Sequence, residues 1–169
     1  MPSGHVEQFL SLWHEAVARK DLGALAPAVE DDVVLSSPAL HRPKQGKREV
    51  LALLADVLAS LEGYRVTRTW VDGLEVLLEF EASVGERTLE GIDRITLDPD
   101  GRLRHLKVFI RPYRGLVALM TAVAGRQIDR LGFQVFQRLY TILGFHNLIT
   151  FSFQYPPDQF TIVEIIFNV

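Results

Sequence analysis

The chain contains no cysteine. A disulfide, a thiolate metal site and a cysteine nucleophile are therefore excluded. No two histidines or carboxylates stand at ligand spacing, and the chain has neither a Gly-x-Gly-x-x-Gly fingerprint nor a Gly-x-Ser-x-Gly elbow. The expectation is no metal and no cofactor. Charge of one sign is lacking too: 18 basic residues against 21 acidic ones leave no positive footprint for a nucleic acid. An uncharged stretch runs from Leu139 to Tyr155, but Thr141, His146, Asn147, Thr150, Ser152 and Gln154 interrupt it. That leaves no apolar run of the ~20 residues a membrane helix needs, so no membrane span is expected. The start, MPSGHVEQ, has neither the basic nor the apolar region of a secretory signal, and a cytoplasmic protein is the simplest expectation.

What is present is a chain of 169 residues, 48% of them apolar and 23% charged, enough for one globular domain with a proper core. Its character changes near residue 126. From Gln127 onward there is no alanine, while seven of the ten phenylalanines and both asparagines, Asn147 and Asn168, fall there. We read residues 1–125 as the domain and 126–169 as a compositionally distinct extension, appended, read-through or family-specific, and so of native or non-native origin. Ile128, Leu131, Val135, Leu139 and Ile142 mark a helix in it, followed by strand-like runs at 145–153 and 160–167.

Along the domain, apolar spacing predicts a helix over 6–19, a second short one over 22–29 with Asp21 as N-cap, a strand at 32–36 and a third helix at 47–61. A four-stranded meander follows. Asp72-Gly73 suits a type I′ turn, Gly85-Glu86 a type II′ turn, and Asp98-Pro99-Asp100-Gly101 a longer one. Pairing Val71 with Leu74, Val84 with Arg87 and Leu97 with Arg102 makes the alternation of all strands consistent. One face collects Leu74, Val76, Leu78, Phe80, Ala82, Leu89, Gly91, Asp93, Ile95, Leu97, Leu106, Val108 and Ile110. The opposite face holds Glu75, Glu79, Glu81, Glu90, Arg94, His105, Lys107 and Arg111, interrupted by Tyr64, Val66, Trp70, Leu77, Ile92, Leu103 and Phe109. The dry face needs the helices as cover, which predicts a two-layer α+β fold, and a small helix is expected at 113–124. The apolar patch on the wet face predicts a homodimer, or cover by the extension.

Asp93 is the one polar side chain among the thirteen dry-face residues, with Leu78 and Leu106 as its expected cross-strand neighbours. An unpaired carboxylate there costs several kcal/mol, so it must be protonated, hydrogen-bonded or paired. Counting puts Arg65 on the same face, where Arg65 or a water can satisfy Asp93 as a structural feature. Alternatively, Asp93 is a pocket acid that donates to a ligand carbonyl.

The element order, with the motifs ARKDLGAL, DDVVLSSP, GKREVLALL, LEGIDRITLDPDGRL and KVFIRP, resembles the nuclear transport factor 2-like superfamily over residues 5–122. It is most similar to the branch of SnoaL-like polyketide cyclases and ketosteroid isomerases. The resemblance implies a cone-shaped, curved, mostly antiparallel sheet packed on N-terminal helices, with a pocket at the open end and often a dimer through the sheet's outer face. It also implies that Asp93, in GID, is the acid that hydrogen-bonds a substrate oxyanion. Ser37, in SSP, stands where the isomerases carry their aspartate base, and Trp13 stands in for the oxyanion tyrosine. Serine has no proton affinity near neutral pH without a base of its own.

Two readings remain open. The first is a site for a hydrophobic, carbonyl-bearing small molecule, formed by Trp13, Ser37, Leu78, Leu106 and Val108 with Asp93 as donor or base, Arg65 as its partner, and His41 reaching the mouth from the loop HRPKQGK. On this reading the protein is an isomerase- or cyclase-like enzyme if it is an enzyme. The alternative is a non-catalytic homodimerising assembly domain in which Asp93 is a satisfied core residue, favoured by a solid core beside it. Arg42, Lys44, Lys47 and Arg48 crowd the third helix's start without a phosphate-loop pattern, which fits a solvated loop.

Overall fold

The computed structural model describes residues 4–131, with side chains through Gln127. The remainder of the expected extension helix, from Val135 to Ile142, and the two strand-like runs lie outside the described residues. Helix α1, Gly4–Arg19, buries Val6, Phe9, Trp13 and Ala16, one stripe at helical spacing. It stops at a reversal in which Lys20 N–H reaches Val17 O (3.2 Å) and Asp21 N–H reaches Ala16 O (3.0 Å), with Lys20 left-handed at φ 52°. The Lys20 ammonium then donates to Leu61 O at 2.6 Å, fastening this corner to the end of the next helix.

The short helix expected over 22–29 is reduced to one 3₁₀ turn, Ala26–Ala28. Asp21 caps Gly23 N–H (2.8 Å) in a local turn, and Val29 is already extended. Strand β1, Val29–Ser36, starts there, followed by β2, Lys44–Gln45, and helix α2, Lys47–Ser60. Strands β3 (Glu62–Asp72), β4 (Glu75–Val84), β5 (Arg87–Leu97) and β6 (Leu103–Arg111) form the meander, and helix α3, Tyr113–Leu131, runs unbroken across residue 126. The single sheet has the order β2-β1-β6-β5-β4-β3, and only the β1–β6 pairing is parallel. The architecture is the expected α+β one.

The β4–β5 register is the one counted from Gly85-Glu86, with Val84 opposite Arg87. The other two hairpins differ from the count. Val71 pairs with Val76, so the two-residue loop is Gly73-Leu74. Leu97 pairs with Leu103, because the Asp98 carboxylate gathers the Asp100 and Arg102 N–H groups (2.9 and 2.8 Å) and Arg102 Nε (2.8 Å) into a wider loop. The partner of Asp93 on β6 is therefore Val108 rather than Leu106, and His105 lies opposite Thr96. Both errors are of two residues along most of the strand, so most side chains keep their faces.

One-residue irregularities do change faces. The β3–β4 pairing shifts between Val66 and Arg68, which leaves Thr67 as an extra residue. Before this bulge Val66 opposes Phe80, and Tyr64 is turned inward, while Arg65 opposes Glu81 and points outward. A second shift, between Thr96 and Leu97, puts Leu103 fully in the core instead of on the wet face.

The core has two parts. One joins α1, α2 and the sheet through Phe9, Trp13, Val33, Leu54, Leu78, Ile95 and Leu103. The other joins the sheet to α3 through Leu61, Phe80, Ala82, Leu89, Leu119 and Val123. Gly91 makes the second possible: a β-carbon there would meet the Phe80 ring at 2.6 Å and press on the Phe109 carbonyl. The ring lies in that space, and Tyr64 stacks on it at 5.0 Å. We expect Gly91→Ala to lower stability by about 1–3 kcal/mol through overpacking. Gly125→Ala, in open space inside α3, should raise it by about 0.5–1 kcal/mol. Urea denaturation midpoints of the two variants test the pair.

Candidate functional site

A cavity of about 110 Å³ lies at the seam between the two core parts. Its walls come from α1 (Trp13, Ala16), β1 (Leu35), α2 (Leu54, Val57), the sheet (Phe80, Leu106, Val108) and α3 (Leu119, Met120, Val123). Polar side chains on it are few: Asp93, Tyr64, Ser37, Gln127 and the Trp13 indole.

Asp93 is central. Alternation of β5 turns it inward between Gly91 and Ile95, and it is 6% exposed. Burial pushes its carboxyl up to about 7, while a hydrogen bond from Tyr64 Oη to Oδ2 (3.1 Å) pulls the other way. Tyr64 is held protonated: burial, the charge on Asp93 and the bond to it all raise its hydroxyl well above the ordinary value. Near neutral pH Asp93 thus exists substantially as the neutral acid, with Oδ2 accepting from Tyr64 and the other oxygen able to carry a proton.

Trp13 supplies a second donor. Its Nε1–H is buried and has no acceptor in hydrogen-bond geometry among the described residues, although it lies near enough to Tyr64 Oη to favour that oxygen's charged form. A buried indole N–H usually finds a partner, and the Tyr64 hydroxyl oxygen is the polar atom that this one approaches.

Of the residues singled out from sequence, Trp13, Ser37, Asp93, Leu106 and Val108 line the cavity. Ser37 Oγ accepts the Ala39 N–H at 3.3 Å, closing the turn after β1. Leu78 sits directly opposite Asp93 but is fully buried in the sheet–helix core and is not part of the wall. Arg65 is corrected outright: the Thr67 bulge sends it to the outer face, where it pairs with Glu81 at 2.7 Å. His41 is exposed in the loop between β1 and β2 and does not line the cavity. Sequence reasoning missed Tyr64, because its face depends on the bulge. It also missed the wall from α3, although Leu116, Leu119, Met120 and Val123 keep helical spacing. Among the described residues no group of three or more His, Asp or Glu could hold a metal, and no helix is long and apolar enough to cross a membrane.

The raised Asp93 value has a consequence for stability. A carboxyl whose folded value exceeds its unfolded value binds more protons when folded, so its contribution is complete below about pH 4 and is lost as pH rises to about 7. The shift from 3.8 to about 7 corresponds to roughly 4 kcal/mol. Chemical denaturation at pH 5 and pH 8 should show the wild type losing about 2–3 kcal/mol of stability relative to Asp93→Asn. Parallel curves for the two proteins would contradict a buried, proton-binding Asp93.

This geometry can be set beside known proteins. Residues 10–106 match the family model of the SnoaL-like domain. A steroid delta-isomerase from Pseudomonas aeruginosa is 37% identical, with a TM-score of 0.74 over 78% of this chain and 98% of that one. An uncharacterised bacterial protein with a cystatin-like fold from Silicibacter pomeroyi is 28% identical, with a TM-score of 0.69 over 77% and 92% of the two chains. A putative polyketide cyclase from Sinorhizobium meliloti, 18% identical with a TM-score of 0.53 over 60% and 94%, shares the fold. No curated protein is similar at a significant level. With more than half its length matched and its cone-like sheet and helices in place, the chain belongs to the SnoaL-like domain family of the nuclear transport factor 2-like superfamily.

Proposed function

We propose that the protein binds a small apolar molecule bearing one acceptor oxygen, held in the cavity by neutral Asp93 and the Trp13 N–H. The observation that carries this reading is an apolar cavity lined by Asp93 and Trp13, with the Tyr64 hydroxyl donating to the buried acid. A solid core at this place would have favoured the assembly-domain alternative, and the cavity weighs against it.

The similarity to a steroid delta-isomerase supports chemistry next to a carbonyl, of isomerase or cyclase type. Among the described residues, Asp93 and Tyr64 are the titratable groups on the cavity wall, and Tyr64 stays protonated. Once Asp93 ionises it no longer donates to the carbonyl, which keeps only Trp13 Nε1–H. The freed carboxylate then takes a proton from the adjacent carbon and returns it, while the enolate oxygen accepts from Trp13 Nε1–H. Ser37 takes no part as a base. The reading calls for no metal, cofactor or nucleic acid, and its setting is the cytoplasm.

A homodimer through the outer sheet face completes the proposal. Trp70 and Leu77 are cross-strand neighbours there, as are Ile92 and Phe109, and all four are more than a third exposed. Arg68 lies over Trp70 and Lys107 over Phe109, and the pairs Arg65–Glu81, Arg94–Glu75 and Arg111–Glu90 surround the patch, a mixed-charge rim that a second copy can complement.

Calorimetric titration with cyclopentanone tests the binding. Asp93→Leu should weaken it about tenfold, the order of one lost hydrogen bond, and Trp13→Phe several-fold. Asp93→Asn should keep binding but remove its decline above pH 7. Equal affinity in wild type and Asp93→Leu would end the proposal. For catalysis, exchange of the ketone's α-protons in deuterated water, followed by NMR, should rise through pH 7 and vanish in Asp93→Asn. For the dimer, Phe109→Glu should halve the mass seen by sedimentation equilibrium; an unchanged mass would remove that part.

A further inference from the structure

The volume and construction of the cavity say more about its occupant. Pockets for drug-sized ligands measure ~300 Å³ or more, and an apolar void of ~150 Å³ takes up benzene. At about 110 Å³ the space here is below even the second, room for about one small ring.

On one side the cavity is walled by α3, which packs against the sheet and α2 and is fixed near both ends. At its start, Gly115 packs so tightly on β5 that a β-carbon would lie 2.6 Å from the Thr88 carbonyl oxygen and 2.8 Å from Leu89 Cβ. Near its other end, Arg126 donates to Ser60 Oγ (3.0 Å) and the Ala59 carbonyl (2.7 Å) on α2, and Gln127 reaches Asp56 Oδ2 at 3.4 Å. Between the two fixings, Leu119, Met120 and Val123 form the wall on that side.

We infer that α3 restricts the site to a compound of about one ring, a monocyclic ketone or similarly sized molecule with one acceptor oxygen, and shuts out polycyclic ligands such as steroids. The inference rests on the proposed ligand site and narrows it. It separates this chain in substrate class from the steroid delta-isomerase it resembles. Met120 is the specificity-determining residue: half-buried, mid-helix and unbranched, it can be shortened with little cost to the fold while enlarging the cavity where α3 confines it.

The test titrates three ketones of increasing size, cyclopentanone, acetophenone and progesterone, into the full-length wild type and the Met120→Ala and Asp93→Leu variants. Melting temperatures confirm folding, and Val123→Ala serves as a second enlarging variant. Expected are saturable binding of cyclopentanone to wild type, at least tenfold weaker binding of acetophenone, no binding of progesterone, and a gain of at least tenfold for acetophenone in Met120→Ala. Binding of progesterone to wild type within threefold of cyclopentanone would overturn the size limit. If Asp93→Leu weakened that binding, the ligand site itself would stand. Failure of all three ketones to bind wild type would remove both the limit and the site it rests on.

Discussion

A carboxyl group on the dry face of a sheet has to be satisfied within reach of its own side chain, and much of the site follows from how this is done for Asp93. The hydrogen-bond donor that reaches it is Tyr64. Tyr64 gets there because Thr67 is an extra residue in β3 and because Phe80, on which Tyr64 stacks, settles into the space above Gly91. Each of these features looks minor by itself. Together they put a phenol 3.1 Å from a buried acid that lines the cavity. The arrangement costs stability whenever Asp93 ionises, and cost of this kind is often found at functional sites rather than in structural cores.

The fold was legible because most of its information repeats every second residue. Faces of β4 and β5 follow from alternation alone, and two hairpins whose registers are off by two residues still have their side chains on the right faces. Helices α1 and α2 were visible in the same way at the helical period. What could not be read was any feature that adds one residue. The Thr67 bulge exchanged Arg65 and Tyr64, turning an expected ion pair with Asp93 into a phenol hydrogen bond, and the shift near Leu97 moved Leu103 from the surface to the core. Nothing in RVTRTW announces a bulge, since threonine and arginine fit a regular strand as well. The site was legible to the extent that it depends on faces, which gave Asp93, Trp13, Leu106 and Val108. It was hidden where it depends on the bulge or on how far α3 runs.

Fold and chemistry are also carried by different residues. The cone needs apolar residues at period two and at helical spacing, a demand many sequences meet, which is why relatives below 20% identity superpose on it. The chemistry needs particular atoms. Ser37, Trp13 and Asp93 all line one cavity, yet only Asp93 titrates near neutrality. A wall with one proton-transferring group can return a proton to a substrate but cannot hold an acid and a base at the same time on separate residues. A ligand site with these groups is thus tuned by a single equilibrium, the protonation of Asp93.

That equilibrium links the two halves of the molecule. In the neutral acid, Asp93 is a donor with Tyr64 donating to it, and the Trp13 N–H has no acceptor in hydrogen-bond geometry among the described residues. On the proposed reading, a ligand that brings a carbonyl meets the acid and the indole together. A ligand that brings only a hydroxyl hydrogen finds an acceptor once Asp93 has ionised, and ionisation is what burial opposes. On the proposed reading, the same low-polarity surroundings that destabilise the charged protein select the ligand's chemistry, and the walls contributed by α3 select its size. Neither selection requires motion of the sheet. Both rest on side chains already fixed by the bulge, the glycine and the helix ends, so recognition here is a property of the folded state before any ligand arrives.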